Sequence, residues 1–162
     1  MFRLRNSDDR ETAFIMNKAF VREPEQGIER CPRCDALGEP VGLDTVTAFI
    51  RPDFHDPLPD SAHFCPYPPC PVVYFDMFER VVLTTDIIRP VYPKDQTAPL
   101  CGCFGLTCED VEDDVAEGGV TRVKALLARA KSADAHCRTQ SVNGKSCIED
   151  VQRYFFKLRG GI

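Results

Sequence analysis

Cys31-Pro32-Arg33-Cys34 and, further along, Cys65-Pro66-Tyr67-Pro68-Pro69-Cys70 are the stretches on which the reading of the fold turns. A CxxC turn brings two sulfurs to one side of the chain, near enough to share one ion. A second close pair completes a tetrahedral Cys₄ set of the kind structural zinc requires. The second pair is CxxxxC rather than CxxC, and Pro66, Pro68 and Pro69 stiffen its longer loop. A redox-active CxxC and unliganded thiols are the alternatives. The redox reading lacks the helix that follows such a motif within a βαβ unit. His55 and His63 are spare ligands for the same region.

The chain carries nine Cys in 162 residues. With 43% hydrophobic and 28% charged residues it has a globular balance, sized for one ordinary domain or two small ones. A chain of this length buries roughly 70% of its unfolded surface, so disulfides are not needed to replace a missing core. An odd cysteine count also leaves a closed disulfide framework one thiol over. The opening Met1-Phe2-Arg3-Leu4-Arg5 lacks the apolar stretch of a secretory signal, and no apolar run approaches a bilayer span. The expectation is a cytoplasmic protein without membrane insertion, whose clustered Cys bind metal. The net charge of −5 argues against nucleic acid and suits a basic protein partner. Oligomeric state is not encoded in any of these features. There is no Ser/His/Asp pattern, phosphate loop or open zinc site with a base beside it, so an enzyme is not expected.

The remaining thiols form a second set. Cys101-Gly102-Cys103 is followed much later by Cys137 and Cys147. Two ligands one residue apart are cramped on a single small ion, whereas a [2Fe–2S] cluster offers a wider rhomb to four thiolates. Gly102, Gly105 and Gly144 let backbone approach such a group closely. Spacing alone leaves the cluster and a second zinc both open. His136, next to Cys137, is a spare ligand. Cys108 is the odd thiol. It follows Thr107, which reads as a helix N-cap, so it is either an accessory thiol whose thiolate the helix dipole favours or a passive residue.

The expected fold is α+β. Residues 1–30 form a polar arm in which Glu11 to Arg22 has helical spacing. Residues 31–99 read as a small antiparallel β unit stapled by zinc, with strands over Thr45–Ile50, Val72–Phe75 and Arg80–Thr84, where β-branched and aromatic residues dominate. So small a unit draws folding energy from its ion. Residues 100–162 read as three helices, from about Cys108 to Glu117, from Thr121 to Ser132, and from a capping-box pattern at Ser146–Glu149 onward. The stripe Ile148, Val151, Phe155 and Leu158 on the third is core.

With both thiol sets placed, the chain resembles the N-terminal domain of CopZ-type copper chaperones, also found as stand-alone iron–sulfur cluster-binding metallochaperones. The resemblance rests on Cys31-Pro-Arg-Cys34, on Phe64-Cys65 with Cys70-Pro-Val-Val-Tyr-Phe75, on Leu100-Cys101-Gly-Cys103-Phe-Gly105, and on Cys137 with Asn143-Gly-Lys-Ser-Cys147. The C-terminal part is similar to bacterioferritin-associated ferredoxin. The resemblance implies zinc on Cys31, Cys34, Cys65 and Cys70, and [2Fe–2S] on Cys101, Cys103, Cys137 and Cys147. It departs at Gly102, where the family usually has an aromatic, at Ser146, where it often has Cys, and at Cys108. The Met-x-Cys-x-x-Cys copper loop of the two-domain chaperones does not occur in these 162 residues. The function it implies is a redox-active metallochaperone or accessory in copper handling, with a metal-transfer or redox protein partner. A ferredoxin-like electron carrier, or a structural small subunit of a larger metalloenzyme complex, are the alternatives.

Overall fold

A computed structural model describes residues 29–55, 58 and 61–160. In chain order these form β1 (Glu39–Pro40), α1 (Leu43–Phe49), β2 (His63–Phe64), β3 (Val72–Phe75), β4 (Val81–Leu83), α2 (Cys108–Ala116), α3 (Thr121–Arg129), α4 (Cys137–Gln140) and α5 (Ile148–Leu158). The architecture is mixed α+β. The helical spacing of Glu11 to Arg22 lies outside the described residues.

The strands make one antiparallel sheet in the order β1-β2-β3-β4. Short strands and an edge proline, Pro40, keep the β1 side from pairing further. All four residues of β3 are buried, because both faces of this strand are covered. A register shift between Val72 and Tyr74 breaks the usual alternation. Val73 and Tyr74 enter one apolar cluster with Val46, Phe49 and Phe64, while Val72 and Phe75 pack with Cys31, Cys65 and Cys70. The β3–β4 turn is held by the buried Asp76, whose Oδ1 accepts from the backbone N–H groups of Phe78 (2.9 Å) and Arg80 (3.0 Å).

The run Thr45–Ile50, read above as a strand, is largely helix α1, with Ile50 as its C-cap. Thr45, Val46 and Thr47 are β-branched and favour strand locally. Yet the buried positions, Thr45, Val46 and Phe49, recur at helical rather than alternating spacing. Tertiary packing on the sheet and on α4 decides the outcome. Pro52 keeps Arg51 out of helical backbone, and Ile50 turns extended to bridge Ile87. The first unit therefore has a real core on its sheet face, and Val142 from the second half of the chain completes it.

The helical half buries Leu100, Leu106, Val111, Val123, Leu126, Val151 and Phe155 together with Cys101, Cys108 and Cys147. Thr107 caps α2 in a reciprocal box with Asp110, and Gly118, at φ +70°, closes its end. At α5 the anticipated box is absent. Cys147 is the N-cap residue and makes no side-chain cap bond, although the Ser146 hydroxyl accepts from Ile148 N–H at 3.4 Å. Val151 and Phe155 are buried as expected, but Leu158 is 37% exposed. The four-residue α4, which opens at Cys137, has too few residues to show periodicity in a sequence.

Asp114 is fully buried and locks α2 to α3. It accepts from Val123 N–H (2.9 Å), Arg122 N–H (3.2 Å) and the Arg122 guanidinium (3.0 Å). Burial opposes its ionisation, but these donors outweigh burial and hold the carboxyl below the usual carboxylate range. Asp114→Ala orphans the buried N–H donors and is expected to lower stability at pH 7 by about 1–3 kcal/mol. Because the folded pKa is depressed, the ionised carboxylate's contribution is present above the unfolded value near ~3.9 and lost as pH falls through the lower folded one. Urea unfolding of wild type and variant at neutral and acid pH checks both statements, and a gap that widens in acid would contradict the second.

Candidate metal centres

Cys31, Cys34, Cys65 and Cys70 converge so that all four sulfurs lie within 4.8 Å of one another. The Cys31 and Cys70 sulfurs are 3.9 Å apart, those of Cys34 and Cys65 3.5 Å. The first knuckle is tight: Asp35 N–H donates to the Cys31 carbonyl and Cys31 N–H to the Ala36 carbonyl, both at 2.9 Å. Asp35 takes φ +60° to make this turn. The other knuckle enters β3 directly, with Cys65 N–H donating to the Val73 carbonyl at 2.9 Å.

Each of three sulfurs accepts a backbone N–H from the residue two positions on: Ala36 for Cys34, Tyr67 for Cys65 and Val72 for Cys70. Such donors favour the thiolate, the form that binds metal. Burial works the other way and pushes Cys65 up to about 12, and Cys70 up as well. At the half-buried Cys34 burial also opposes ionisation, but the Ala36 N–H and the neighbouring thiols prevail and lower it. Lys94 adds positive charge near Cys65, anchored by its ammonium donating to the Tyr67 carbonyl at 2.6 Å. A set of four sulfurs this close can hold one divalent ion. His63 stays outside it, its ring stacked on Phe75 at 5.7 Å, and His55 is exposed.

The second set is looser. Cys103 and Cys137 stand 3.8 Å apart, and Cys101 is hydrogen-bonded to Cys147. Among the described residues only the first set has its ligand atoms all within 4.8 Å, so these four thiols span a wider space. Cys101 and Cys147 are buried, Cys103 and Cys137 half-buried. The contact between them favours ionisation of Cys101, whose thiol is lowered by the Cys147 side chain against the effect of burial, while the Cys101 contact and burial raise Cys147. Backbone N–H groups of Phe104 and Cys103 also serve Cys101, and His136 N–H donates to the Cys103 sulfur at 3.3 Å. Burial raises Cys103 to about 11 all the same. His136 thus contributes its backbone rather than its ring. Cys108 is not among these contacts. It is buried in the helical core beside the Tyr154 hydroxyl, and burial raises its pKa.

The segment 138–145, between Cys137 and Cys147, rests on the first unit. Thr45 hydroxyl donates to the Arg138 carbonyl and Tyr74 hydroxyl to the Val142 carbonyl, both at 2.6 Å. Arg138 pairs with Asp44 at 2.7 Å and Arg89 donates to Gln140 at 3.3 Å. Glu39 accepts from Asn143 (3.4 Å) and Lys145 (3.2 Å). In the sequence Thr45, Tyr74, Asn143 and Lys145 stood only inside quoted runs and Lys94 not at all; their pairings act across long chain separations that no local motif marks.

Two glycines make the fit possible. A Cβ on Gly102 would run into the Gln140 carbonyl, and one on Gly144 would lie 2.5 Å from Thr45 Oγ1. Gly144 also has φ +69°. Gly144→Ala is expected to cost about 1–3 kcal/mol. Gly118→Ala, at similar φ but with open space around it, is expected to cost only about 1–2 kcal/mol. Chemical denaturation of both variants checks the order; equal losses would show that contact with Thr45 adds nothing.

Residues 28–89 match the sequence profile of zf_CopZ, a family described as a zinc binding domain. The fold is also that of a solved protein. The X-ray structure of the Archaeoglobus fulgidus CopZ N-terminal domain superposes with a TM-score of 0.66 at 22% sequence identity, covering 77% of this chain and 96% of that one. No curated protein matches the chain at a significant level. No helix among the described residues is long and apolar enough to cross a membrane.

Proposed function

We propose that this chain is a two-site, metal-handling metallochaperone rather than an enzyme. Cys31, Cys34, Cys65 and Cys70 hold structural zinc, and Cys101, Cys103, Cys137 and Cys147 hold a [2Fe–2S] cluster. The zinc assignment is supported by the Cys₄ group inside the matched region. The observation that carries the second is the contrast between the two sets: one tight enough for a single ion, the other strung out through contacts of Cys147 with Cys101, Cys101 with Cys103 and Cys103 with Cys137 over a wider span.

The residues around the second set suit that role. Backbone N–H groups at Cys103, Phe104 and His136 are donors to sulfur and stabilise thiolate charge. Phe104 lies under the Arg129 guanidinium at 4.2 Å, which covers one flank with an apolar ring and a cation. When bound, a cluster of this type supplies a one-electron couple. The chain's part is to hold the thiolates and limit water at Cys101 and Cys147. Copper fits as cargo, since Cu(I) is a soft ion that thiolates select. The half-exposed Cys103 and Cys137 favour a second reading, a ferredoxin-like electron carrier in the cytoplasm that docks on a partner enzyme.

Anaerobically purified protein is expected to contain about one zinc per chain and about two irons with two sulfides. Cys103→Ser should lose iron and sulfide but keep zinc, and Cys34→Ser should lose zinc. Zinc in both sets with no acid-labile sulfide overturns the cluster assignment. Cu(I) competition against a chelator separates the two roles: binding beyond the resident metals supports a metallochaperone, and none, with reversible one-electron reduction, supports the carrier.

A further inference from the structure

Both ends of the segment 138–145 lead into thiols of the second set, Cys137 before it and Cys147 after it, while the segment itself is gripped by the first unit. The grips differ in weight. Arg138 and Asp44 are 79% and 64% exposed, and an ion pair so hydrated holds little. Tyr74 is completely buried and Thr45 is 3% exposed, and each directs a hydroxyl at a carbonyl of the segment. Burial keeps the Tyr74 phenol protonated, so it remains a donor. Removing the Tyr74 hydroxyl leaves the buried Val142 carbonyl without its partner, and removing the Thr45 hydroxyl frees the part-buried Arg138 carbonyl.

Tyr74 in turn belongs to the strand that carries the first thiol set. Cys70 lies two residues before β3, Cys65 is bonded to Val73 across the ladder, and Val72 and Phe75 flank Tyr74's stretch among the sulfurs. An ion shared by the four sulfurs would tie down Cys70 and so the start of β3, the strand on which Tyr74 stands. Thr45 touches the same segment from α1, against Gly144.

We infer that Tyr74 and Thr45 are positioning residues for the second thiol set, and that metal bound to Cys31, Cys34, Cys65 and Cys70 holds Cys137 and Cys147 within reach of Cys103 and Cys101. The coupling part rests on the zinc reading above; the positioning part stands on the hydrogen bonds alone.

The test uses the full chain, reduced, zinc-loaded and free of cluster, with alkylation by N-ethylmaleimide followed at each cysteine by mass spectrometry. Tyr74→Phe and Thr45→Val keep the side-chain shape and remove the hydroxyl. Each is expected to speed alkylation of Cys137 and Cys147 about 2–10-fold, with Cys108, buried in the helical core, at its wild-type rate. Unchanged rates at Cys137 and Cys147 overturn the assignment, as does an equal rise at Cys108, which marks general loosening. Chelating the zinc from wild type should reproduce the rise, with little added in Tyr74→Phe; a wild-type rate that survives confirmed zinc loss overturns the coupling. A wild type that never holds zinc sinks the zinc reading, and the two hydroxyl variants still decide the positioning roles. Failure of the second set to take up iron and sulfide is read separately, by metal analysis, and leaves the alkylation result standing.

Discussion

The convergence of four sulfurs from two distant knuckles is the constraint around which the first unit is arranged. It fixes where the Cys31–Cys34 turn meets the Cys65–Cys70 loop, and so where β3 begins. Among the described strands β3 alone has every residue buried: its Val72 and Phe75 line the sulfur group, and its Val73 and Tyr74 build the core against α1. The sheet is short by any standard, with strands of two to four residues. Such strands are marginal alone, and here they gain from the sulfur group on one face and a packed helix on the other. Val142 enters that same core from the far half of the chain, so the two halves share apolar packing as well as hydrogen bonds.

Electrostatics in the helical half turns inward. α2 has a strongly acidic sequence, and an acidic helix on a metal protein suggests a docking face. In the fold most of those charges have internal work. Asp110 caps the helix, Asp114 and Glu117 hold Arg122, and Glu112 accepts the Tyr154 hydroxyl at 2.6 Å. Arg122 offsets Asp113, Asp114 and Glu117, while Glu109 and Glu112 remain exposed charges on this helix.

Much of the fold was legible because its signals are local. Val72–Phe75 is a strand as its β-branched and aromatic run indicated, and Thr107 and Gly118 bound α2 as caps. The grouping of Cys31, Cys34, Cys65 and Cys70 was legible for the same reason, since each pair is a short turn. What failed was decided at a distance. Thr45–Phe49 has strand-forming residues, yet becomes helix because its buried positions meet the sheet and α4. Ser146 heads a good capping sequence, but the helix starts after Cys147, whose sulfur is tied to Cys101. Tyr74 stood only as part of the strand run Val72–Phe75, and its hydroxyl gains meaning only with Val142 beside it.

The uneven burial of the second thiol set gives it a front and a back. Cys103 and Cys137 face outward together, while Cys101 and Cys147 sit behind them in the helical core. A reagent arriving from solution, whether an oxidant, a competing thiol or a soft metal ion, meets the front pair first.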